Sequence, residues 1–140
     1  MTIPFLNRVR IRQITVGTSN EAGLQARTVL EKLLAEMPEL LLTCVVEVQS
    51  GRVLASYTRE SHLNPNHLSL RYAKLLQLTT KTLAAQQIPG GPLTDITVLL
   101  EDQFHIVWPM RNGHWYCFVA VRFADANLGM ARDIMRRHTA

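Results

Sequence analysis

The residues of this chain that could do chemistry are five histidines, two cysteines and a few neighbouring carboxylates, and their spacing does not assemble them. His62, His67, His105, His114 and His138 include no pair four apart, so none offers the two-imidazole helix face that grips a metal. His62 and His67 flank a helix start, where solvated loop positions account for them. His114 stands three residues before Cys117, but a strand turns positions three apart to opposite faces. Glu101 and Asp102 are adjacent in a turn, which suits solvation better than acid–base work. Gly90-Gly91 is followed by Pro92, which lacks the N–H that a phosphate cradle needs, and no Gly-x-x-x-x-Gly-Lys-Ser/Thr loop occurs. Ser50-Gly51 fits a hairpin turn better than a nucleophile elbow. The expectation is a protein that is not an enzyme and that carries no cofactor and no metal.

The 140 residues suffice for one core. Hydrophobic residues make up 47% and charged ones 19%, spread along the whole chain, which excludes disorder and a long linker. Apolar runs such as Phe118 to Val121 are far short of the roughly 20 residues a bilayer span needs, and no apolar leader core follows Arg8, Arg10 and Arg12. A cytoplasmic protein without membrane contact is expected. Cys44 and Cys117 sit inside apolar, strand-like runs, as buried reduced thiols do. The net charge of +4 raises nucleic acid as a partner, yet the basic residues are scattered. Only Arg8, Arg10 and Arg12 at one end and Arg132, Arg136 and Arg137 at the other could form a basic contact surface, so nucleic acid is the weakest of the partner readings.

These residues must be positioned by a mixed set of elements. Ala26, Leu30, Leu33, Leu34 and Met37 recur at helical steps from Asn20 onward, with Thr18 and Glu21 at capping-box spacing and Pro38 as a stop. Leu40 to Val48 and Arg52 to Thr58 read as strands joined at Ser50-Gly51. Asn64-Pro65 opens a long helix to about Gln87, where Ile88-Pro89-Gly90-Gly91-Pro92 must break it. Thr94 to Glu101, Phe104 to Met110 and Trp115 to Phe123 are strands, the last two linked through Asn112-Gly113. A closing helix with Leu128, Ala131, Ile134 and Met135 on one face takes Asp125 as its cap. The order α-β-β-α-β-β-β-α predicts an α/β (α+β) three-layer sandwich, a five-stranded antiparallel sheet with helices on both faces. Both faces must be covered because Trp115, Cys117, Val119, Val121 and Phe123 alternate with Tyr116, Phe118 and Ala120. Residues 1–17 form either an extra edge strand or an arm, and 18–140 the domain.

The central helix carries the most information. Leu68, Tyr72, Leu75, Leu76, Thr79 and Leu83 make a stripe expected to lie on the sheet. The opposite side, Leu70, Ala73, Gln77, Thr80 and Ala84, is uncharged and rich in small residues, so something else should cover it. A second copy using the same helix is the simplest cover, since small residues let helix backbones approach. The N-terminal arm or the first helix folding over is the other.

The turn Ser50-Gly51 with Arg52-Val53-Leu54-Ala55, the long helix after it, the Gly90-Gly91 break and the run Ala126-Asn127-Leu128-Gly129-Met130-Ala131-Arg132 together resemble the roadblock (dynein light chain) family over about Leu24 to Arg137. Ser50 departs from the acidic residue often found before the turn glycine. The resemblance implies homodimers with paired central helices and with the strands at Thr94 to Glu101 meeting edge to edge, which adds Thr97 and Leu99 to the interface. It also implies a protein-binding module, a regulator or adaptor of a small Ras-like GTPase that contributes no catalytic residue. A small-ligand sensory domain is the alternative expectation.

Overall fold

A computed structural model describes residues 13–60 and 62–139. In chain order these form β1 (Thr15–Val16), α1 (Glu21–Glu36), β2 (Leu42–Glu47), β3 (Val53–Thr58), α2 (Pro65–Ala85), β4 (Ile96–Leu99), β5 (Gln103–Pro109), β6 (Trp115–Arg122) and α3 (Leu128–His138). Each helix begins at an asparagine whose side-chain oxygen takes up an otherwise unpaired backbone N–H. Asn20 accepts from Gly23 at 3.2 Å, Asn64 from Asn66 at 3.0 Å and Asn127 from Met130 at 2.7 Å. Two expected caps are thereby corrected: Thr18 donates its hydroxyl to Asn20, and Asp125 pairs with Arg122 at 2.9 Å.

The sheet is antiparallel with six strands in the order β1-β3-β2-β6-β5-β4, one more than the five expected. The additional strand comes from the segment left open between strand and arm: Thr15 pairs with Ser56 and Val16 with Ala55. Gly17 then donates to the Leu54 carbonyl at 2.7 Å. A two-residue strand is too short to show an alternation, which is why sequence pattern gave it no place in the sheet. The rest of that segment, with Arg8, Arg10 and Arg12, lies outside the described residues.

Alternation along the strands fills both sides of the sheet. Val45, Ala55, Tyr57, Phe104, Ile106, Cys117, Val119 and Val121 pack toward α1 and α3, joined by Leu30, Leu33, Leu34, Ile134 and Met135. Leu42, Cys44, Val46, Val107, Tyr116, Phe118 and Ala120 pack toward α2 with Ala73 and Leu76. A fully buried side chain of this size contributes about 1.5–3 kcal/mol, so both layers contribute to stability. Burial raises both thiols, Cys117 to about 12, which leaves them protonated and unreactive. Among the described residues no helix is long and apolar enough to cross a membrane.

Candidate functional site

What α2 covers, and what it leaves open, follows from how it is held. The Tyr116 hydroxyl donates to the Ser69 carbonyl at 2.6 Å, and the Gln77 amide donates to the Val48 carbonyl at 2.8 Å. At the β2–β3 turn the approach is closer still. Gly51 has φ of +75°, and a Cβ there would stand 2.8 Å from the Leu70 Cα. A helix lying this close needs a small residue at the contact, which Gly51 supplies, and Ala73, 0% exposed, packs into the core under the helix.

This corrects the expected facing of the helix. Ala73, expected on the open side, is in the core, with Leu76 beside it. Leu70 covers Gly51 while remaining 44% exposed, and Gln77 is tied to Val48 just after β2, so both are engaged within their own protomer. Thr80 and Ala84 are exposed. Leu75, expected on the sheet, is 37% exposed. Leu78, which sequence reasoning passed over, is 64% exposed and lies on the outer side with Lys74 and Lys81. The overlooked signal was its spacing of four and three residues from those two lysines.

Tyr72 defines the other flank of α2. Its ring stacks on Phe118 with centroids 5.1 Å apart, and its hydroxyl meets His105 Nδ1 at 2.9 Å. His105 Nε2 lies 2.8 Å from the Gln103 side-chain oxygen, an acceptor, so the proton is assigned to Nε2 and Tyr72 donates to Nδ1. Burial lowers the His105 pKa and raises that of Tyr72, which keeps both neutral. The side of α2 that carries Tyr72, Leu75 and Thr79 therefore turns toward β5 and the strand beyond it.

That strand is β4, which pairs with β5 alone among the described strands. The Leu100 N–H bonds the Gln103 carbonyl at 2.8 Å. Antiparallel alternation then turns the N–H and C=O groups of Thr97 and Leu99 away from the sheet. Thr97 and Leu99, both expected at the interface, thus sit on the open edge, with Leu99 62% exposed. The strand reads Ile-Thr-Val-Leu, with none of the lysine, proline or bulge that usually blunts an exposed edge.

The basic residues of α3 are brought together and already matched. Arg137 reaches Glu36 at 2.8 Å and Asp133 at 3.2 Å, Arg136 pairs with Asp133, and His138 with Glu36. Hydrogen bonds from Arg137 and His138 hold the Glu36 carboxyl below its usual range. Arg132 reaches Asp95 at 2.7 Å. Burial pushes that carboxyl up, but hydrogen bonds from Arg132, Thr94 and Thr97 outweigh it and leave it below the ordinary value. The expected basic surface is therefore, on its α3 side, a network of ion pairs. No group of three or more His, Cys, Asp or Glu side chains that could hold a metal occurs among the described residues.

No protein-family model and no curated protein sequence matches the chain. Solved structures do. Myxococcus xanthus MglB superposes with a TM-score of 0.73 at 10% identity over 87% of each chain. An MglB with tetrameric arrangement gives 0.68 at 16% identity, over 89% of this chain and 90% of that one. A Roadblock/LC7 domain from Streptomyces avermitilis gives 0.66 at 13% identity, over 86% and 92%. At these identities the likeness is one of architecture, and it meets the resemblance read from Ala126 to Arg132. The chain has the roadblock fold.

Proposed function

We propose that the chain is a non-catalytic, cytoplasmic module that pairs with a second copy of itself and, as a dimer, binds and regulates a small Ras-like GTPase or serves as its adaptor. The observation that carries the pairing is the unblunted β4 edge beside the half-exposed flank of α2. A second β4 satisfies the outward groups of Thr97 and Leu99 and brings the Leu75 and Thr79 flanks of the two helices alongside one another. An edge this apolar is an aggregation hazard unless something pairs with it. Support for self-association comes also from the tetrameric arrangement of the MglB neighbour. The GTPase is supported by the roadblock fold together with the family resemblance of the sequence. Regulation then proceeds by contact, by fixing the conformation of the GTPase's own loops.

Light scattering on the purified protein over a range of concentrations tests the pairing, and the expected mass is that of two chains. Capture of a Ras-like GTPase from the same genome, loaded with either nucleotide, tests the partner. The expected result is binding that favours one nucleotide state, with no hydrolysis by the chain alone. A folded monomer at every concentration rejects the pairing, and failure to hold the GTPase in both states rejects the regulator.

A further inference from the structure

Along one flank of the C-terminal half of α2 lies a trough of about 380 Å³ whose walls are drawn from Val48 just after β2, from α2, the loop before β4 and the β5–β6 hairpin. Its apolar lining comes from Val48, Leu76, Leu93, Met110 and Trp115. The size falls within the range of small-molecule sites, and the lining is of the kind that buries a hydrocarbon chain or ring.

One wall is different. Gln77, Thr80 and Lys81 line the trough from positions three and four apart on α2, so they share a side of the helix. Each has capacity to spare. Gln77 spends an amide N–H on the Val48 carbonyl, which fixes the side chain and leaves its oxygen without a donor among the described residues. Thr79 and Thr82 donate their hydroxyls to the Leu75 and Leu78 carbonyls at 2.8 Å, whereas the Thr80 hydroxyl has no partner among the described residues. Lys81 is the one charged side chain lining the trough, and no carboxylate among the described residues pairs with it.

We infer that this trough binds a small amphipathic monocarboxylate, an aliphatic or aromatic acid whose apolar body lies against Leu76, Met110 and Trp115 and whose carboxylate meets Lys81 and the Thr80 hydroxyl. A single ammonium beside two neutral polar groups matches one negative charge. A phosphate or a dicarboxylate would leave charge unpaired against an apolar wall. The inference does not rest on the GTPase reading, since it concerns a cavity within one protomer.

Titration of the full chain with octanoate, 1-octanol and acetate, followed by tryptophan emission and by Tm, tests it. Octanoate is expected to give a saturable emission change and a raised Tm, with 1-octanol at least about tenfold weaker, the factor a charge-assisted contact is worth, and acetate at least about tenfold weaker for want of the apolar body that the trough would bury. Lys81→Gln, at an exposed helical position, is expected to weaken octanoate by about tenfold and leave 1-octanol unchanged. Thr80→Phe, which fills the trough, is expected to abolish the response. Absence of saturation by octanoate overturns the site, and so does equal binding of octanoate and 1-octanol. Octanoate affinity unchanged in Lys81→Gln overturns it as well.

Discussion

On one face of the sheet α1 and α3 hold Leu30, Leu33, Leu34, Ile134 and Met135 at 3% exposure or less. On the other face a single helix of 21 residues buries only Pro65, Ser69, Ala73 and Leu76. The first face is also tied at its margin, where Glu36 of α1 takes Arg137 and His138 of α3. The second has no such ties: Arg71, Lys74 and Lys81 make no ion pair among the described residues. Coverage differs in the same way. The α1–α3 layer reaches across to β5, packing on Phe104 and Ile106, while α2 lies mainly on β2 and β3 and meets β5 through Val107 and through Tyr72 on His105. One face is thus closed within the protomer, and the other leaves apolar surface exposed, which the proposed pairing would cover.

Substitutions should separate these two roles. The largest effect is expected in the closed layer: Leu33→Ala should cost about 2–5 kcal/mol of stability, the usual range for a buried leucine, and is read from a denaturant midpoint. Gly51→Ala comes next, because a methyl group at φ of +75° must also displace the Leu70 backbone, for about 1–3 kcal/mol on the same assay. Leu99→Lys on the β4 edge should change the midpoint by no more than about 0.5 kcal/mol while converting a dimeric mass to a monomeric one in light scattering. A large loss of monomer stability in that variant would erase the distinction drawn between the faces.

The smallest effect concerns pH. His105 has a folded pKa below its ordinary 6.5, so the unfolded chain takes up the proton first. Its contribution to stability is fully present above pH 6.5 and is lost as pH falls from there toward the folded value. His105→Gln should flatten that part of a stability-versus-pH curve, leaving the acid limb that begins below the ordinary 4.5 of Glu36 and 3.8 of Asp95 as these depressed carboxyls protonate.

The elements themselves were legible because their signals are local. Asn64-Pro65 marked the start of α2, Asn112-Gly113 marked a turn in which the Asn112 oxygen takes the N–H groups of His114 and Trp115, and alternation in β6 announced a sheet covered on both sides. Where the reading failed, the deciding contact was distant in sequence. The rotation of α2 is set by Tyr116 on Ser69 and by the space Gly51 leaves for Leu70, and neither is visible in the periodicity of the helix alone. With hydrophobic residues distributed round much of the helix, periodicity could not tell which stripe faces inward. The caps went astray by two residues because several residues of capping type stand in a row, Thr18, Ser19 and Asn20 before α1, and Asp125 and Asn127 before α3.

The clasp between Arg132 and Asp95 joins the outermost strand to a helix on the well-packed side of the sheet. With only 6% of its side chain exposed, the Asp95 carboxylate would be poorly solvated if the guanidinium let go, and only Thr94 and Thr97 would remain to satisfy it. The open edge is thus latched from behind. A protein that grips α3 and draws Arg132 away would, on the proposed pairing, loosen it without touching the β4 edge itself.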